Sequence, residues 1–224
     1  TQVAEELQIL KQNRPLAHVP PAQAAIIFDY PSVWMAQIQP QGADFNAMEL
    51  SFRVYSELRQ LGLDVDVLPS SADLTGYALI VLPAHLREDA HLAQRLAASG
   101  AQIVLGPRSG SKTASLAIPE ALAPGAFSVL AGVQVQRVES LPPGLVEAMQ
   151  WAQGPATSVS RWREDLTLAG AIALAQFDDG KPAVTRHANT WYAAGWLHSA
   201  GWRQLLSQAA QAASLPTLDL PAEV

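Results

Sequence analysis

Apolar positions along this chain follow helical spacing in some stretches and strand patterns in others. Val3, Leu7 and Leu10 recur at helical spacing, which predicts a helix over residues 1–13 that Pro15 stops. A helix that starts at the first residue with so narrow an apolar face reads as the tail of something longer. Pro15, Pro20 and Pro21 read as a stiff linker. Residues 24–28 form a continuous apolar run closed by Asp29, the pattern of a parallel strand covered on both faces. Residues 31–43, rich in Pro, Gln and Gly, read as a loop. Phe45, Met48, Phe52, Tyr55, Leu58 and Leu61 then recur three or four residues apart. They predict a helix with Asp44 as N-cap and Gly62 as the residue just past its end. Residues 63–68, 77–82 and 101–105 read as strands. Residues 87–98 read as a helix that begins near Glu88 and Asp89 and stops before Gly100. This alternation implies a parallel sheet with helices on both faces.

The pattern changes after residue 105. Residues 106–128 are loop-like, and short strands are predicted over 133–138, 158–163, 171–176, 183–186 and 190–193, with a hairpin turn at 187–190. A last helix covers about residues 200–213. The fold class expected is α/β, mostly parallel, with extra antiparallel strands in the second half.

Composition narrows the functions open to such a fold. At 224 residues the chain can bury a large core without a disulfide or a structural metal. It has no cysteine, which removes thiol nucleophiles and thiolate metal sites and fits a reducing, cytoplasmic location. A net charge of -6 with no basic stripe gives no footprint for nucleic acid. No apolar run is long enough for a membrane helix.

Candidate chemistry is sparse. Gly106-Pro107-Arg108-Ser109-Gly110-Ser111-Lys112-Thr113 nearly spells a phosphate-binding loop, but Ser111 stands where the glycine before the lysine belongs and no clear helix follows. The same turn could present Ser109 as a nucleophile, with His187 or His198 as its base. The spacing, however, is one residue off the usual elbow. Asp178-Asp179-Gly180 reads as a turn, since adjacent carboxylates on a strand point apart. The histidines lack metal-ligand spacing, so no metal or cofactor is expected, and His85 and His91 read as surface residues. The segment Phe28-Asp29-Tyr30-Pro31-Ser32-Val33-Trp34, followed by Gln37, Gln39, Pro40 and Gln41, sits where open α/β sheets place ligands and contacts. Its aromatic and amide side chains suit a contact surface or an ordered loop packed on itself. A small-ligand cleft at the strand ends is a further reading.

Taken in order, several segments resemble the middle domain of the family 42 glycoside hydrolases, mostly β-galactosidases. These are Phe28-Asp29-Tyr30-x-Ser32-x-Trp34, Gln39-Pro40, the LGLDVDVL stretch, Ala72-Asp73-Leu74-x-Gly76-Tyr77, Val104-Leu105-Gly106-Pro107-Arg108-Ser109-Gly110, Leu141-Pro142-Pro143-Gly144 and Gly180-Lys181-Pro182-Ala183-Val184-Thr185-Arg186 with Trp191-Tyr192. The resemblance implies a class I glutamine amidotransferase-like (flavodoxin-like) fold without its catalytic cysteine. It also implies a role in packing subunits into a homotrimer beside a catalytic barrel of the same chain. The acid/base and nucleophile glutamates of such enzymes belong to the barrel, so no catalytic residue is carried onto this chain. A retaining glycosidase needs two carboxyl groups about 5 Å apart, and no such pair is evident here. On this reading residues 1–21 are a helix and linker from the barrel, 22–215 the trimerisation domain and 216–224 a tail towards a following domain. Asp29, Tyr30, Trp34, Gln37, Gln39, Pro40, Arg108 and Ser109 are the residues expected at a subunit or barrel-mouth contact.

Overall fold

The computed structural model describes residues 21–42, 44–218 and 220, together with Glu6, Gln8 and Ile9. Apart from those three helical residues, the helix expected over 1–13 lies outside the described residues. One 11-stranded sheet organises the rest, in the order β11-β7-β6-β8-β9-β10-β4-β3-β1-β2, with β5 paired to β7. Strands β1 (Ala24–Ile27), β2 (Val65–Leu68), β3 (Leu79–Leu82) and β4 (Gln102–Leu105) pair in parallel, and β10 (Thr190–Ala193) adds a further parallel partner to β4. β1 and β3 are buried along their whole length, as continuous apolar runs covered on both faces should be.

Every other pairing is antiparallel. It joins β5 (Val133–Ser140), β6 (Val146–Trp151), β7 (Thr157–Leu168), β8 (Ile172–Phe177), β9 (Pro182–His187) and β11 (Gly195–Leu197). The molecule is therefore a mixed α/β fold whose sheet is mostly antiparallel, not mostly parallel as expected. β6 and β11 were not foreseen, and β7 runs well past residue 163. A three-residue strand carries no periodic signal, and the consecutive charges Arg163-Glu164-Asp165 break the apolar pattern of β7 although Glu164 points inward. The 187–190 hairpin forms as expected, with His187 opposite Thr190.

Two further corrections concern the segment after β1. Residues 31–43 do not form one loop, because Tyr30–Ile38 is a helix, α1. Asp29 caps it by accepting from the Ser32 N–H, and Pro31 sits in the first turn, where its missing N–H costs nothing. Helix α2 spans Ala47–Gln60, and its N-cap is Asn46 rather than Asp44; the Asn46 side chain accepts from the N–H groups of Met48 and Glu49. Gly62 follows its end at φ +76. α3 (Ala90–Ser99) runs from the Asp89 cap to a left-handed Gly100. After the single helical turn α4 (Ser128–Ala131), α5 (Ser199–Ala212) packs on α2 and on β4. The β1–α2–β2 and β3–α3–β4 connections move in opposite directions along the sheet, which for right-handed crossovers sets α2 and α3 on opposite faces. Leu50, Val54 and Leu58 of α2 are fully buried, each worth about 1.5–3 kcal/mol of transfer free energy.

Candidate functional site

The carboxyl ends of β1 and β3 flank the point where the sheet order reverses, the usual place for a ligand in an open α/β sheet. Here the polar groups pair with one another. The Asp29 carboxylate accepts from the Ser32 N–H at 3.0 Å and the Ser32 hydroxyl at 2.7 Å, and pairs with Arg87 at 3.3 Å. Arg87 also reaches Asp89 and the Ser70 hydroxyl. Burial works to raise the Asp29 pKa, but the Ser32 hydrogen bond, nearby His85 and the Arg87 guanidinium outweigh it and the net shift is downward. His85 follows β3 and is buried, not on the surface as expected. Its ring stands edge-on to Phe127, and neither ring nitrogen has a hydrogen-bond partner among the described residues. Burial lowers its pKa. His91 is exposed.

The second locus is the turn after β4. Gly106 is required there, since a Cβ would lie 1.9 Å from the Pro83 carbonyl oxygen. The residue at the sharp point of the turn is Arg108, at φ 64, a conformation that costs a non-glycine residue about 1–3 kcal/mol unless its surroundings hold it. Three things hold it. Its N–H donates to Glu164 Oε1 at 2.8 Å. Its guanidinium lies over the rings of Phe45 and Trp162 at 4.5 and 4.8 Å. The same group donates to the Pro40 carbonyl at 2.7 Å, with longer contacts to the Gln39 carbonyl and Gln41 Oε1. Burial pushes the Arg108 pKa down to about 10, against the pull of the Glu164 charge. Glu164 is 1% exposed and also accepts from Trp162 Nε1 at 3.0 Å and the Tyr192 hydroxyl at 2.6 Å. Its burial raises its pKa, and those donors oppose the rise.

This arrangement overturns the nucleophile reading of Ser109. The Ser109 side chain is fully buried and its hydroxyl donates to the Gly106 carbonyl at 2.8 Å. His187 Nδ1 is bonded to the Leu130 carbonyl, and the two ring nitrogens of His198 to Ser158 and Ser160. The phosphate-loop reading fails as well, because Lys112 is buried with its ammonium donating to Gln39 Oε1 at 3.0 Å. Asp178-Asp179-Gly180 is the expected turn, with Asp179 accepting from the Lys181 N–H.

The structure thus joins Gln39, Pro40 and Arg108 directly, and brings Tyr30 and Trp34 together with ring centroids 6.2 Å apart. Asp29 belongs to the other locus, and Ser109 only shapes the turn. Gln37 and Pro40 line a cleft of about 440 Å³ with Asp44, Phe45 and Arg161. Helix α1 is apolar on both sides. Ser32, Val33, Met35 and Ala36 face inward, while Tyr30, Trp34 and Ile38 stand 58%, 56% and 66% exposed. Tyr30 also borders an apolar groove of about 320 Å³ with Phe28, Met48, Phe52, Tyr55 and Val67. Glu164 and Tyr192, which hold the turn, were missed by sequence reasoning. A carboxylate flanked by two charged residues reads as surface, and its burial depends on the strand pairing around it.

Comparison with known proteins identifies the family of the chain. The family model described as the beta-galactosidase trimerisation domain matches residues 22–216. A beta-galactosidase of Thermus thermophilus is 43% identical over 98% of this chain and 33% of its own length, so the chain spans about a third of that relative. Among solved structures, the beta-galactosidase of the psychrophilic Marinomonas ef1 superposes with a TM-score of 0.91 at 31% identity, over 98% of this chain and 34% of that one. The enzyme of the Antarctic haloarchaeon Halorubrum lacusprofundi gives a TM-score of 0.85 at 33% identity, over 90% of this chain and 32% of that one. With its motifs, its fold and these matches in agreement, the chain belongs to the beta-galactosidase trimerisation domain family of the family 42 glycoside hydrolases.

Proposed function

We propose that this domain holds together the subunits of a homotrimeric β-galactosidase whose catalytic barrel lies in the same chain, and that it contributes no catalytic residue itself. On this reading residues 1–21 lead from the barrel, 22–215 form the assembly domain and 216–224 lead to a following domain, in a cytoplasmic enzyme acting on terminal β-galactosides. The parallel half of the sheet, with its sharp turn after β4, supports an amidotransferase-like (flavodoxin-like) ancestry in which arginine stands where a nucleophile would. The observation that carries the proposal is the outer face of α1. A helix with apolar side chains on both sides is ordinarily a covered helix, and an exposed aromatic and aliphatic stripe rimmed by amides is the composition of a protein contact. Tyr30, Trp34, Gln37, Gln39 and Pro40 form that contact, with Asp29 and Arg108 behind it. A closed trimer needs heterologous contacts, so the stripe meets a different patch of its neighbour. Trp34→Ala in the full-length protein is expected to weaken subunit association by about tenfold or more, measured by light scattering on dilution. An unchanged association constant would sink the proposal.

A further inference from the structure

We propose that Arg108 is the positioning residue of this contact. It sets the backbone of residues 39–41, and through them the C-terminal turn of α1, in the geometry that assembly requires. The inference rests on the reading of α1 and its following loop as the contact surface.

The turn after β4 grips this loop with two buried cations. Arg108 donates to the Pro40 carbonyl at 2.7 Å and reaches the Gln39 carbonyl and the Gln41 side chain, and Lys112 donates to Gln39 Oε1 at 3.0 Å. Neither forms an ion pair with a carboxylate side chain among the described residues. Apolar side chains of the same volume would fill such a space with less desolvation, so plain packing does not account for them. A planar guanidinium aimed at successive backbone groups does something packing cannot: it fixes their direction. The loop needs fixing, because Gln41 is itself at φ 52 and the capping Gln39 leaves helical geometry at φ -131, ψ 73. Arg108 in turn is held from behind, by Glu164 on its N–H and by Phe45 and Trp162 on the faces of its guanidinium. Ile38 is adjacent to the gripped residues and Trp34 one helical turn back, so the orientation of the exposed stripe follows from the grip.

The test uses the full-length protein with Arg108→Met, Arg108→Lys and, as a control for the contact itself, Trp34→Ala. Three quantities are read: the subunit dissociation constant, amide hydrogen exchange at Gln39, whose N–H donates to the Met35 carbonyl at 2.9 Å, and the denaturant midpoint. Arg108→Met is expected to speed exchange at the Gln39 amide by about tenfold and to raise the dissociation constant by a similar factor, with β1 and β3 amides still protected. Arg108→Lys, which keeps the charge and loses the fork, is expected to fall between Met and wild type. A lower midpoint with unchanged exchange at Gln39 and unchanged association would overturn the inference, since that is what a merely structural residue gives. Weakened association in Trp34→Ala but not in Arg108→Met overturns it too, and leaves the contact standing. No loss in either variant overturns both. Loss in Arg108→Met alone sinks the α1 contact, and with it the inference that Arg108 orients α1 for assembly. Where Arg108→Met does not fold, Arg108→Lys, which loses the fork on the Pro40 and Gln39 carbonyls, carries the same expectations at smaller size.

Discussion

Two neighbouring parts of this domain depart from ordinary patterning in opposite directions. The turn after β4 buries charge: Arg108 and Glu164 are each 1% exposed. The outer face of α1 does the reverse, and presents Tyr30, Trp34 and Ile38 to solvent. A domain selected only to fold would do neither, because desolvating a charge and hydrating an aromatic ring both cost free energy. The two departures meet at residues 39–41, where the buried guanidinium grips the loop that follows the exposed helix. On the proposed reading, the inner charges shape a surface and the outer aromatics meet a neighbouring subunit. By contrast, Arg163 is also buried but pairs with the carboxylates of Glu147, Asp165 and Asp179, and Lys181 joins Asp165 and Asp179 at the exposed edge of the cluster.

The comparison can be broken from either side. The largest effect is expected inside. Glu164→Ala leaves the Arg108 N–H, the Trp162 ring nitrogen and the Tyr192 hydroxyl without their acceptor. It should cost about 3–5 kcal/mol of unfolding free energy by denaturant titration. A loss below about 1 kcal/mol would mean the buried network is incidental. A smaller, pH-dependent effect is expected at His85, whose pKa burial holds below its usual value. The unfolded chain then binds the proton more readily. Stability should be full above the unfolded value of about 6.5 and fall as pH drops below it, until the folded pKa is passed. His85→Leu should flatten that part of a stability profile measured from pH 7.5 to 5. The smallest effect is expected outside. Trp34→Ala should change the unfolding free energy of the domain by no more than about 0.5 kcal/mol, so that any loss of association comes from the contact and not from the fold.

Much of the architecture was legible in the chain, and the exceptions have physical causes. β1, β3 and β4 are apolar runs bounded by Asp29, by Pro83 and by Gly106, and α2 keeps a clean helical period. α1 was hidden because its apolar residues lie on both faces and leave no period to find, and because Pro31 suggests a loop to a reader who places it inside a helix rather than in its first turn. Tyr30, Trp34, Gln37, Gln39 and Pro40, the proposed contact, stood out in the sequence as an aromatic and amide cluster. The partners of Arg108 did not, since they come from residues 39–41, Phe45, Trp162 and Glu164, which only the fold brings together.

The central claim is that an assembly surface is contained in this domain. The most direct test is the solution mass of the 224-residue chain by light scattering across a dilution series. The account predicts a trimer that dissociates on dilution, and at lower concentration for wild type than for Trp34→Ala. A monomer at every concentration would contradict it, and would place the subunit contact outside this chain.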